Sequence, residues 1–231
     1  MLSLPGTERI ARRRWRGFTL LEVAIVVLIL GLLLGGMLVP LSVQRENRER
    51  AETQASLDEI KEALYGFVLV NRRLPCPDTD GDGTEDRSGG TCSQAVGVVP
   101  WADLGVKGLD AWAQPFGYRV TIAFADDADG TGCGVPTTAV SFELCSKGDI
   151  NVDDAAAGGA AVARKVPAIV LSFGKNWAVA TSADELENTN GDPLFVYKTY
   201  SQESGKEFDD LAVWLSSPVL MNRMIEAKLL P

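Results

Sequence analysis

At 231 residues the chain carries 31 acidic against 22 basic side chains, a formal charge of −9, and no histidine. That balance repels nucleic acid and anionic lipid. The missing imidazole removes the commonest general base, the histidine-dependent serine and cysteine triads, and most catalytic zinc sites. No Walker loop and no dinucleotide glycine fingerprint occurs, and the chain is read as structural rather than enzymatic, although any acidic surface offers carboxylate pairs of the glycosidase kind.

Residues 1–17 hold five arginines and one glutamate and end in Arg12-Arg13-Arg14-Trp15-Arg16-Gly17. Phe18-Thr19-Leu20-Leu21-Glu22 follows, then 21 residues, Val23 to Val43, without a charge. About 20 apolar residues suffice to cross a bilayer. A secretory signal peptide would have a shorter apolar core with a small-residue cleavage site after it. A twin-arginine signal, suggested by Arg12-Arg13, does not fit so long a core with an acid at its mouth. The arginine excess places the leader in the cytoplasm and everything beyond Val43 outside. Gly31, Gly35, Gly36 and Pro40 permit close helix approach and bending in lipid.

Glu22 is the anomaly. An acidic group at mid-bilayer costs roughly 2.5–3.5 kcal/mol on insertion scales and less near the interface. Phe18–Val43 supplies no Lys, Arg or His to pair with it. Cleavage after Gly17 would create the missing cation, the α-amino group of Phe18, one turn away in the same helix or at a staggered height in a neighbour. The arrangement resembles the N-terminus of type IV prepilins and type II secretion pseudopilins. That resemblance implies cutting between Gly17 and Phe18 by prepilin peptidase and N-methylation of Phe18. It also implies that Glu22 neutralises a neighbouring subunit's terminus, setting register as the chain leaves membrane lipid for a helical filament at an inner-membrane assembly platform. A single-span anchor with an incidental acid is the competing reading.

The fold implied is α+β and pilin-like, a long N-terminal helix packed on an antiparallel β-sheet. Its parts would be a leader at 1–17, a transmembrane and assembly helix at 18–43, an amphipathic continuation at 44–74, and a periplasmic or extracellular head at 75–231. The residues agree with that plan. Gln44–Val70 is rich in helix formers, and Leu57, Ile60, Leu64 and Phe67 recur at 3-4-3 spacing on one face. Leu74-Pro75 ends the pattern, because the residue before proline avoids the helical region. A helix from Phe18 to Val70 would be about 80 Å long.

Next comes Pro75-Cys76-Pro77-Asp78-Thr79-Asp80-Gly81-Asp82-Gly83-Thr84-Glu85-Asp86. Asp78, Asp80, Asp82, Thr84 and Asp86 with Gly83 follow the start of an EF-hand-like loop, whose oxygen ligands suit calcium. The position of the bidentate Glu is Gly89, so this is not an EF-hand. A solvated acidic turn is the simpler alternative. Zinc lacks N or S ligands here, and magnesium demands stricter geometry. The four cysteines, Cys76, Cys92, Cys133 and Cys145, all fall in the exported part and read as disulfides of open connectivity. The local pairs Cys76–Cys92 and Cys133–Cys145 are favoured, since each closes a short Gly- and Asp-rich segment. A four-thiolate metal site would lack any Cys-x-x-Cys spacing.

Asp110-Ala111-Trp112-Ala113-Gln114-Pro115-Phe116-Gly117-Tyr118 resembles the Asp-Pro-Trp-Gly-x-Pro-Tyr-x-Tyr element of major pseudopilins, with alanines where the proline and glycine stand. Trp112, Phe116 and Tyr118 are read as core rather than as a ligand cage. Alternation predicts strands near 118–124, 139–144, 168–173, 177–181 and 212–215, with 172–177 a tight connection between two of them. Asp126–Gly130, Asp149–Asp154 and Asn188–Asp192 are expected to be acidic turns, and Ala155–Ala163 a loop. Ser217-Pro218 reads as N-cap and first turn of a closing helix.

The function expected is a filament subunit of a pilus or secretion pseudopilus with calcium stiffening the head. Without its 17-residue leader the 231-residue chain keeps 214 residues. The resemblance makes that long for a major subunit, so a minor one is expected. The alternative is a membrane-anchored, calcium-dependent binding or adhesion protein that does not polymerise.

Overall fold

The computed structural model describes residues 17–127, 140–180 and 182–230, without the side chains of 33–41. By contacts the chain divides into two compact units, Met1–Glu46 and Asn47–Pro231. In chain order the elements are α1 (Leu20–Asn71), β1 (Arg87–Ser88), β2 (Thr91–Cys92), β3 (Val96–Val98), α2 (Trp101–Leu104), β4 (Gly117–Val120), β5 (Ile150–Asp153), β6 (Ala161–Val166), β7 (Ala168–Ser172), α3 (Ala183–Glu187), β8 (Leu194–Val196), β9 (Leu211–Trp214) and α4 (Ser217–Glu226). The architecture is α+β, an N-terminal helix followed by mainly antiparallel sheets.

In the first unit the described apolar side chains from Phe18 to Leu32 are exposed. No helix is long and apolar enough to cross a membrane among the described residues. The side chains of the expected span are described over 18–32 and 42–43, and those of 33–41 lie outside the described residues.

The second unit is layered. Sheet order β3-β4-β7-β9 is antiparallel throughout, and a second sheet, β6-β5-β8, pairs β5 antiparallel to β6 and parallel to β8. Side chains alternate across a strand, and β7 shows the result. Ala168 and Val170 enter a core with Leu57, Ile60, Leu64 and Val68 of α1, Phe116, Tyr118 and Phe124, and Leu220 and Met224 of α4. Ile169 and Leu171 enter a second core with Ile150, Val152, Val166 and Phe195. With both faces covered, β7 is buried along its whole length.

The helical stripe continues through Val68 instead of Phe67, which is half-buried with the Arg73 guanidinium 5.5 Å over its ring. The helix ends at Asn71, earlier than Leu74, because Arg72 turns to φ +59° while its N–H still reaches the Val68 carbonyl at 2.8 Å. Phe116 and Tyr118 are core residues, and Trp112 packs against the same core.

Several expected elements differ. After β4 the chain enters a 3-10 turn, Ile122–Phe124, rather than extending the strand. No strand forms over the described part of 139–144 or 177–181, so 172–177 does not join two strands. Phe142 is instead drawn into the core against Phe124, with ring centroids 4.9 Å apart. Asp149–Asp154, read as a turn, contains β5, because Ile150 and Val152 alternate inward. Part of the expected loop 155–163 is the start of β6. The N-cap of α4 is Ser216, not Ser217, whose hydroxyl donates to the Lys165 carbonyl at 3.1 Å.

Candidate functional site

The N-terminal residues form a local device. The Glu22 N–H donates to Thr19 Oγ1 at 3.2 Å, and the Thr19 N–H faces Glu22 Oε2 at 3.5 Å. This is the reciprocal pattern of a capping box, Thr-x-x-Glu, which satisfies free N–H groups at a helix start. The Thr-x-x-Glu spacing is legible in the sequence and is the signal for this cap. Gly17 and Phe18 precede the helix, are non-helical and exposed, and Phe18 is 80% accessible. The bond between them is therefore in chain that a peptidase could engage without unwinding a helix. The arginine leader lies outside the described residues.

The acidic loop is braced by its own backbone. Asp78 is buried, and its carboxylate accepts the N–H groups of Asp80 (3.1 Å), Gly81 (2.6 Å) and Gly83 (2.8 Å). Gly83 has φ +91°, and a Cβ there would stand 2.5 Å from the Trp101 indole, so only glycine fits. Asp86 accepts both the N–H (2.7 Å) and the hydroxyl (2.5 Å) of Thr79, which hold its carboxyl below the usual range. Carboxylate oxygens of Asp78, Asp80 and Asp86 lie within 4.8 Å of one another. Asp82 and Thr84 stand outside that trio and bond each other, at 2.8 Å from the Thr84 N–H and 2.7 Å from its hydroxyl. Gly89 sits at φ +62° in the turn between β1 and β2 and offers no side-chain ligand.

Covalent and ionic ties surround this loop. Cys76 and Cys92 are disulfide-bonded, with Cα atoms 5.2 Å apart. Cys145 is also in a disulfide; its expected partner Cys133 lies outside the described residues. Arg87 donates to the Ala125 carbonyl at 2.6 Å and pairs with Asp127.

A second acidic group went unnoticed in the sequence. Glu185 of α3 and Asp209 and Asp210 before β9 bring carboxylate oxygens within 4.8 Å of one another, near enough to share a proton or a cation. Glu185 and Asp210 are buried. Burial, with the neighbouring Asp209 and Glu185 charges, pushes the Asp210 carboxyl up to about 7 despite a 2.7 Å bond from Asn188 Nδ2 and the opposing Arg50 charge. Asp209 is also raised, first by burial and then by Glu185, and its Oδ1 is buried without a hydrogen-bond partner. No local spacing could reveal this group, since Glu185 lies more than twenty residues before the adjacent pair Asp209 and Asp210.

Residues 12–38 match a family model, the prokaryotic N-terminal methylation motif. The chain carries a prepilin-type processing motif. It spans the end of the arginine leader, the Gly17–Phe18 bond, the Thr19–Glu22 cap and the first turns of α1. The motif supports a type IV pilin- or pseudopilin-like protein and implies processing by prepilin peptidase and assembly with other pilin subunits. No curated protein and no solved structure matches the chain.

Proposed function

We propose that this protein is a membrane-anchored structural subunit of a type IV pilus or type II secretion pseudopilus. It is cut after Gly17, methylated on Phe18 and packed into a helical filament through α1. The observation that carries the reading is the coincidence of the processing motif at 12–38 with an exposed, non-helical Gly17–Phe18 junction directly before a capped helix. Once the leader is gone, the terminal amine of a neighbour gives Glu22 a counter-charge that its own sequence withholds. The head then lies on the periplasmic or extracellular side, and its length favours a minor subunit.

Calcium is the cation the acidic loop would suit. Asp78, Asp80 and Asp86 offer hard oxygen donors that converge in a glycine-permitted turn. These residues would hold the ion, and its charge would offset their mutual repulsion. Trp101 against Gly83 provides the readout. Chelation is expected to change its fluorescence and lower the thermal midpoint, and an identical melting curve with and without chelator removes calcium from the account.

Mass spectrometry of the protein from cells tests the main reading. The expected species begins at a methylated Phe18, Gly17→Ala leaves the full precursor, and Glu22→Ala is cut but stays out of fibres. An uncut, unassembled wild-type chain overturns it.

A further inference from the structure

The cavity of about 270 Å³ beside β9 is unusual for so acidic a chain: Lys147, Arg164 and Lys165 line it together with Ser217 and the first turn of α4. Arg164 is paired with Asp153. Lys147 and Lys165 are exposed and make no ion pair among the described residues. Lys165 holds φ +55°, a left-handed conformation uncommon for a non-glycine residue. Three hydrogen bonds keep it there. Its N–H donates to Asn151 Oδ1 at 3.3 Å, and its carbonyl accepts from Ser217 Oγ at 3.1 Å and from the Gly148 N–H at 3.2 Å. The pairing of β5 with β6 shifts register nearby, and such a bulge re-aims the side chains it carries.

At the other edge of the four-stranded sheet the chemistry reverses. β3 is bridged to Asp78 through Val98, and the loop that follows exposes Asp80 and Asp82. Exposed Asp103 is tied to the end of that loop, accepting the Glu85 N–H at 2.7 Å. Asp82 belongs to neither carboxylate trio among the described residues, so its side chain is not engaged in the candidate cation site.

We propose that the basic cavity beside β9 of one head receives the acidic loop beside β3 of a second copy of this chain. The contact rests on the filament reading above and gives it a head-to-head specificity. Two unlike patches on opposite sheet edges make a heterologous contact, and a heterologous contact that does not close extends a filament. Residues 75–231 hold 11 basic against 23 acidic side chains, a net charge of −12, so identical heads repel at a distance, and local complementarity is what selects one orientation of approach. Only adjoining copies are required, which suits a minor subunit present more than once per fibre.

The test uses two differently tagged full-length copies, co-expressed and mildly solubilised, with capture of one by the other measured. Lys147→Glu with Lys165→Glu in both copies should lower capture about tenfold, equivalent to 1.4 kcal/mol. Adding Asp82→Lys to both copies should restore it, which a merely misfolded variant would not permit. Undiminished capture between the charge-reversed copies overturns the contact, and so does a loss that Asp82→Lys fails to rescue. In either case the filament reading survives if Glu22→Ala abolishes capture. Wild-type copies that never capture each other also overturn the contact, and the Phe18 terminus then reports separately on the filament reading.

Discussion

Arg73 holds Glu85 with both ends of its guanidinium, at 2.7 and 2.5 Å, while the same carboxylate takes the Cys76 N–H at 2.9 Å. One acid thus ties the residues after α1 to the disulfide and to the end of the acidic loop. Both side chains are mostly buried, 17% and 16% exposed. Burial alone would raise Glu85, but the Arg73 and Cys76 hydrogen bonds and the Arg73 and Arg87 charges outweigh it and hold the carboxyl below its ordinary value of 4.5. A depressed folded value means stability present above pH 4.5 and lost as pH falls through the folded value. Arg73→Ala should cost about 2–3 kcal/mol, between the limits for exposed and buried pairs. Urea unfolding of wild type and variant checks both magnitude and the flatter acid limb of the variant.

Asp210 carries the opposite sign. Its carboxyl is raised from 3.8 to about 7 by burial and by Asp209 and Glu185. The folded state therefore keeps a proton that the unfolded chain has released, and this contribution is full below about pH 4 and drains away as pH rises to 7. Asp210→Asn keeps an oxygen for Asn188 to donate to and removes the charge. The expected result is a variant more stable than wild type at pH 8, with the difference closing or reversing at pH 4. Denaturant midpoints measured across that range decide it, and parallel curves would show that Asp210 does not titrate with folding.

What was legible in the sequence follows the range of the interactions. Leu57, Ile60 and Leu64 could be placed because a helix repeats its environment every three or four residues, and the edge of their stripe failed at Phe67 because Arg73 offered that ring a different cover. β5 was hidden because the acids around Ile150 and Val152 read as a turn, and only β6 and β8 on its two sides make it a strand. The acidic trio at Asp78, Asp80 and Asp86 is local and could be anticipated. The one at Glu185, Asp209 and Asp210 is assembled by tertiary packing and could not.

Ala113 occupies the place where the resembling pseudopilin element has glycine, and its φ is +61°. The turn has kept the glycine backbone with an alanine in it, closed by the Ala113 N–H to the Asp110 carbonyl at 3.1 Å and by Asp110 Oδ1 accepting the Trp112 and Gln114 N–H groups at 2.9 Å. A left-handed residue with a Cβ costs about 1–2 kcal/mol, part of which glycine returns through its looser unfolded chain. Ala113→Gly should therefore stabilise by about 0.5–1 kcal/mol and raise Tm by roughly 1–4 °C for a unit of this size. A lower Tm would show that the turn differs from the one described.

Glu22 combines two roles that substitution can separate. As the third residue of α1 it completes the cap with Thr19, and in the filament reading its charge meets a neighbour's terminal amine. Glutamine serves a capping box as well as glutamate does, so Glu22→Gln preserves the cap and deletes the charge. Thr19→Val does the reverse, removing the hydroxyl that the Glu22 N–H donates to at 3.2 Å while leaving the carboxylate. Loss of the cap costs about 1 kcal/mol of helix stability, and α1 spans 52 residues, so Thr19→Val should assemble close to normally. Glu22→Gln should be cut and methylated yet be depleted from sheared fibres by at least tenfold. Equal depletion in both variants would mean that the cap, not the charge, governs assembly, and the ion-pair account of register would fall.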